Sequence, residues 1–83
     1  MVQNSPNPFS DVTTISFSLT DKGHTQLQIV DVTGKIIATP VNSDMSAGNY
    51  TVDVNAKELA GGIYFYTLTH NNSQITKKMV VAK

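Results

Sequence analysis

The stretch that most limits how this chain can fold is Gly61-Gly62-Ile63-Tyr64-Phe65-Tyr66-Thr67-Leu68-Thr69. It holds three of the six aromatic residues, and the polar segment His70-Asn71-Asn72-Ser73 follows it. After the two glycines, β-branched and aromatic side chains run almost unbroken. Such side chains suit a pleated, half-buried surface, so the stretch reads as a β-strand. Alternation puts Tyr64, Tyr66 and Leu68 on one face and Ile63, Phe65 and Thr67 on the other. The first face is expected to line the core, because a tyrosine can bury its ring and keep its hydroxyl at a rim.

A strand of this kind needs partners, and the chain supplies them at spacings of roughly 8–12 residues. Thr14–Leu19 alternates with Ile15, Phe17 and Leu19 inward, starting from Ser10 or Asp11, and Thr20-Asp21-Lys22-Gly23 turns the chain. A second strand is expected from Thr25 to about Val30, with Leu27 and Ile29 inward. Asp31-Val32-Thr33-Gly34 then leads into Lys35–Ala38. Asp at its first position and Gly at its fourth predict a type I turn closed by a glycine with positive φ. Pro40 is expected to end that hairpin, leaving at most a short strand around Ser43–Met45. Ala47-Gly48-Asn49 turns into Tyr50–Asn55, with Tyr50, Val52 and Val54 inward. Ala56–Ala60 has the composition of one helical turn, too short to stand without packing, and Leu59 is expected to cover the core. The last strand is Gln74 to Val81. At the front, Pro6 and Pro8 hold the backbone extended, Phe9 is expected to plug the end of the core, and Met1 to Ser5 reads as linker. The pattern is that of an all-β fold, a small antiparallel β-sandwich of six or seven strands, with residues 1–83 as a single domain.

A chain of 83 residues hides only about 60–65% of its unfolded surface, so its stability margin is narrow. It has no cysteine, hence no disulfide and no thiolate metal site. Zero net charge with 14% charged residues argues against a nucleic-acid or anionic-membrane footprint. No run approaches the roughly 18 apolar residues that direct membrane insertion of a helix requires. Residues 1–10 lack the apolar core of a signal peptide, so an exported form is expected to be a piece of a longer precursor.

Groups for chemistry are scattered. His24 and His70 form no spaced pair of ligands and read as surface histidines. Asp11, Asp21, Asp31, Asp44 and Asp53 lie about one per turn or strand, which nominates no acid/base pair. No serine stands on a strained elbow, and no helix follows Gly61-Gly62 to make a phosphate loop. The sequence is therefore not that of an enzyme, and it calls for no cofactor or metal. Asn49-Tyr50-Thr51 and Asn71-Asn72-Ser73 match a glycosylation pattern too short to carry weight.

One feature is uneven. Lys77-Lys78-Met79-Val80-Val81-Ala82-Lys83 carries three of the six basic residues. Lysines on an edge strand deter edge-to-edge pairing. The same strand can instead offer unpaired backbone groups to a partner strand, with Lys77, Lys78 and Lys83 as a positive rim that steers encounter.

Six pieces in order carry a family resemblance: Pro6-Asn7-Pro8-Phe9, Thr14–Leu19, Leu27–Lys35, Ala47-Gly48-Asn49-Tyr50, Gly62–Leu68 and Lys77-Lys78-Met79-Val80. Together they resemble the type A C-terminal sorting domain of the type IX secretion system of Bacteroidetes, over Pro6 to Lys83. Where that family often has aromatics, this chain has Ser5, Val30 and Val54. The resemblance implies a seven-stranded immunoglobulin-like sandwich that is a signal rather than a catalyst. It implies an N-terminal cargo domain exported to the periplasm, recognition by the outer-membrane translocon and its shuttle protein, and removal by a sortase-type cysteine peptidase. The cargo is then released or held at the cell surface. Pro6, Asn7, Pro8, Phe9, Gly34, Gly48 and Gly62 match the family's motif positions. Translocon recognition is expected at Lys77, Lys78, Met79, Val80, Val81 and Lys83. The alternative is a fibronectin-like adhesive or carbohydrate-binding module of an extracellular protein. An ending two residues beyond Val81 is what a terminal signal is expected to show.

Overall fold

The computed structural model describes residues 2–5, 7 and 10–83. Its strands are β1 (Val2–Ser5), β2 (Val12–Leu19), β3 (Gly23–Asp31), β4 (Ile36–Met45), β5 (Gly48–Asn55), β6 (Gly62–His70) and β7 (Ser73–Val81). A single 3-10 turn, Ala56–Glu58, lies between β5 and β6; the Asn55 side chain caps it by accepting from Lys57 N–H at 2.8 Å. One sheet has the order β1-β2-β5 and the other β4-β3-β6-β7, with antiparallel pairing throughout. The chain crosses between sheets at β2–β3, β4–β5 and β5–β6. This is an immunoglobulin-like sandwich.

The core forms where the inner faces of the two sheets meet. β2 contributes Ile15, Phe17 and Leu19, β5 contributes Val54, and the facing sheet contributes Leu27, Ile29, Val41, Tyr64, Tyr66, Leu68, Met79 and Val81. The alternation expected in β6 holds: Tyr64, Tyr66 and Leu68 are buried while Phe65 is half-buried on the outer face. Phe17 and Tyr50 are cross-strand partners, with stacked rings whose centroids lie 5.5 Å apart. Tyr64 closes the chain's approach to β6 by donating its hydroxyl to the Ala60 carbonyl at 2.8 Å. A tyrosine at that corner bonding backward along the chain is a hallmark of this architecture. Tyr50 does the same one crossing earlier, onto the Ser46 carbonyl at 2.8 Å.

The structure departs from the sequence reading in three places. Val2–Ser5, expected as linker, is an edge strand paired with Thr14–Phe17. Pro40 does not end its hairpin. β4 has an extra residue between the pairs Ile29↔Ala38 and Leu27↔Val41, and Pro40 lies in that bulge. On an edge strand the missing N–H of proline breaks no ladder bond. Val52 is only half-buried, because β5 is the edge of its sheet, and Met79 and Val81 fill the core from the far side instead. Phe9, expected to plug the core, lies outside the described residues.

Tyr66, 1% exposed, is the largest fully buried side chain. Tyr66→Ala is expected to lose about 3–5 kcal/mol, a large share of what a domain this small can possess. Urea or thermal unfolding followed by circular dichroism measures it. A variant that melts with the parent would remove Tyr66 from the core.

Candidate functional site

β7 pairs with β6 over its whole length without a register shift, from His70↔Ser73 to Gly62↔Val81. It is the last strand of its sheet, and among the described residues no strand pairs with its far edge, although β1 of the other sheet approaches it. In an antiparallel ladder alternate residues face the partner. Gln74, Thr76, Lys78 and Val80 therefore point their N–H and C=O groups away from β6. Side chains divide the other way. Thr76, Lys78 and Val80 stand on the outer face, and Ile75, Lys77, Met79 and Val81 on the core side.

Burial separates the expected recognition residues into three groups. Lys77 and Lys78 are exposed, on opposite faces of one strand. Met79 and Val81 are 0% and 2% exposed, so their side chains anchor β7 and are not on offer in the folded domain. Val80 is half-buried beside its cross-strand partner Ile63. Lys83 is tied down, its ammonium donating to the carbonyls of Leu59 at 2.6 Å and Lys57 at 3.4 Å. The expected positive rim of three lysines is thus two, since Lys83 closes the end of the 3-10 turn. Its backbone also passes so close to Gly61 that an added Cβ would meet the Lys83 carbonyl at 3.1 Å.

The fold joins two motifs that the sequence holds far apart. The Asn7 carboxamide accepts from Val80 N–H at 2.9 Å and donates to the Lys78 carbonyl at 3.3 Å. The front motif therefore touches the edge of the final strand. Its other members, Pro6, Pro8 and Phe9, lie outside the described residues. Nothing local to Asn7 in the sequence specifies a partner more than seventy residues away.

The glycine motif positions are backbone devices. Gly34, Gly48 and Gly62 all have positive φ, at 88°, 152° and 145°. Gly34 is the best defined: its N–H donates to the Asp31 carbonyl at 3.1 Å, and Asp31 N–H donates to the Lys35 carbonyl at 3.0 Å. One Asp31 carboxylate oxygen also accepts from Thr33 Oγ1 (2.6 Å), Thr33 N–H (2.9 Å) and Lys35 N–H (3.0 Å). These donors, the Thr33 hydroxyl foremost, hold the Asp31 carboxyl below its ordinary value of 3.8.

The histidines are structural. His24 is exposed, with Nδ1 3.2 Å from Asp44 Oδ1 and Nε2 2.8 Å from Asn42 Oδ1. His70 is not the surface residue expected: its side chain is 12% exposed. Its Nε2 lies 2.8 Å from the Asp21 carbonyl and its Nδ1 2.8 Å from the hydroxyl of the fully buried Thr25. A carbonyl can only accept, so Nε2 carries a proton. Among the described residues no group of histidines and carboxylates is placed to hold a metal ion. No helix among the described residues is long and apolar enough to cross a membrane.

The described geometry thus defines an immunoglobulin-like β-sandwich whose distinctive surface is a strand edge rather than a cleft of reactive groups. The family model described as "Secretion system C-terminal sorting domain" matches residues 5–82. The chain belongs to that family, the type IX secretion C-terminal sorting domains. Membership implies a C-terminal sorting signal in a precursor with an N-terminal cargo, bound for the outer membrane or cell surface. The family is not one of enzymes. A comparison with curated proteins finds no match to the chain.

Two outcomes follow for the Asp31–Gly34 turn. Gly34→Val is expected to destabilise by about 1–3 kcal/mol from backbone strain alone, since nothing lies within 4 Å of an added Cβ. Gly34→Asn should cost less, and equal melting temperatures for all three proteins would refute the strain. Asp31, with its folded pKa depressed, stabilises the fold above its unfolded pKa and loses that contribution as pH falls through the folded value. Asp31→Asn should therefore unfold more easily than the parent at neutral pH, with the gap closing below about pH 3.8. Paired denaturation curves across that range check the sign.

Proposed function

We propose that this domain is the secretion signal of a larger cargo protein, and that the type IX machinery reads the edge of β7. The observation that carries this is a regular strand edge, open at Gln74 and Thr76 and bearing two exposed lysines. Among the described residues neither lysine pairs with a carboxylate. Buried Met79 and Val81 hold the strand in register, so backbone groups, Lys77 and Lys78 are presented in fixed positions. Main-chain groups along such an edge supply affinity by strand addition, and flanking side chains supply selectivity. The cargo reaches the periplasm first. There the outer-membrane translocon and its shuttle protein take the domain, and a sortase-type cysteine peptidase removes it as the cargo reaches the surface or the medium. The domain catalyses none of these steps.

The test is a reporter carrying a Sec signal in front and residues 1–83 behind, expressed in a host with the type IX machinery. The reporter should reach the cell surface or medium, measured by fractionation and by protease accessibility on intact cells. Lys77→Ala with Lys78→Ala changes only exposed side chains, which typically alters stability by no more than about 0.5 kcal/mol each, and export should fall several-fold. A folded double variant exported at the parental rate would show that the lysines only guard the edge. An intact fusion that stays in the periplasm would end the sorting-signal reading for this chain.

A further inference from the structure

Part of the β7 edge is already occupied, and by a side chain. Asn7 donates to the carbonyl of Lys78 and accepts from the N–H of Val80, the residues on either side of Met79. One residue of a parallel neighbouring strand makes the same pair of bonds, to the carbonyl before and the N–H after its opposite number. A carboxamide has the same donor and acceptor as a peptide group, so Asn7 serves as a single rung of a missing strand. The rungs before it, at Gln74 and Thr76, have no such cover among the described residues.

Beside Ile75, near the start of β7, lies a groove of about 400 Å³, lined by Leu19, Leu68, Ile75, His70 and Asn72 among others. A strand added along the β7 edge would place one residue beside exposed Ile75, and two successive residues beside Lys77 and Lys78. A second copy of the same edge is a poor occupant, because registers centred on 77–78 set lysine against lysine. An acidic strand is a good one, since the charges that repel a copy attract it. β4, by contrast, is interrupted by bulges and Pro40. β5 carries Asp53 and no lysine.

We infer that the β7 edge takes up an extended strand with two adjacent acidic residues, and that Asn7 competes with that strand for its last rung. Resting on β7 as the recognised element, this adds the partner's chemistry and a built-in brake. The incoming strand pairs first along Gln74–Lys78 and completes its pairing as Asn7 releases Lys78 and Val80.

The probe is the synthetic peptide Thr-Val-Thr-Glu-Glu-Thr-Val-Thr, which reads the same in both directions. It therefore sets its glutamates against Lys77 and Lys78 whichever way it lies. Titrated into the isotope-labelled chain, it should shift the amides of Gln74, Thr76 and Lys78, and a Lys-Lys version should not. Asn7→Ala should bind it about fivefold more tightly, the order of one net neutral hydrogen bond. In the free protein Asn7→Ala should also speed exchange of the Val80 amide at least about tenfold. Asn7→Asp, which keeps the acceptor and loses the donor, should leave that amide protected, and this separates the brake from a general loosening of the fold. Shifts confined to other strands, or equal binding by the parent and Asn7→Ala, would overturn the inference. So would concentration-dependent self-association through β5 in place of peptide binding. None of these results depends on export, so the reporter can reach the surface while this inference fails.

Discussion

Three hydrogen bonds onto backbone carbonyls hold the crossings on which the sandwich depends. The chain passes between its sheets at β2–β3, β4–β5 and β5–β6. At each passage a side chain reaches back or across: His70 to the Asp21 carbonyl, Tyr50 to that of Ser46, Tyr64 to that of Ala60. A crossing loop leaves the ladder of one sheet before it joins the other, so its carbonyls need partners from elsewhere. Here the partners are rings whose bodies also pack at the margin of the core. Order in the loops and packing in the sandwich are therefore coupled. With no disulfide to assist, that coupling lets a thin core set the positions of its outer strands.

Much of this was legible in the sequence because strands and turns are local. Alternation in Thr14–Leu19 and Ile63–Leu68 revealed which faces go inward, and Asp31 with Gly34 specified its turn through residue chemistry that needs no partner. What local patterns do not encode is which strand lies at an edge. Pro40 reads as a terminator unless β4 is known to be peripheral, and Val52 reads as core unless β5 is. Met79 and Val81 alternate with Lys78 and Val80 like any strand. Their place deep in the core becomes visible only once β7 lies beside β6. His70 was misjudged for the same reason, since its partners Asp21 and Thr25 come from the far end of the sequence. The candidate site was half legible. The run of lysines drew attention to β7, but the contribution of Asn7 and the tethering of Lys83 are long-range facts.

The four outer strands are managed differently. β1 is short, and β4 is broken by bulges and a proline. β7 is regular, and its protection is made of detachable parts: two exposed charges and one carboxamide. Bulges and prolines are permanent, because removing them means refolding the strand. Charges and side-chain amides can be answered by a partner that carries the complementary groups. A domain built to be handled by other proteins gains from the second kind of protection at the one edge where handling is wanted.

The running directions of the outer strands have a mechanical consequence. Val2 lies opposite Phe17, toward the end of the sandwich where Ser73 also begins β7; Val81 leaves at the other end, opposite Gly62. Tension applied along the polypeptide would thus pull on β1 and β7 lengthwise. Lengthwise load is shared by all the rungs of a ladder at once, whereas peeling breaks them one at a time. Resistance to a pull is set by the rate of unfolding rather than by equilibrium stability. A molecule with a modest thermodynamic margin can therefore stay folded under a tug from its own chain, provided the tug comes from end to end.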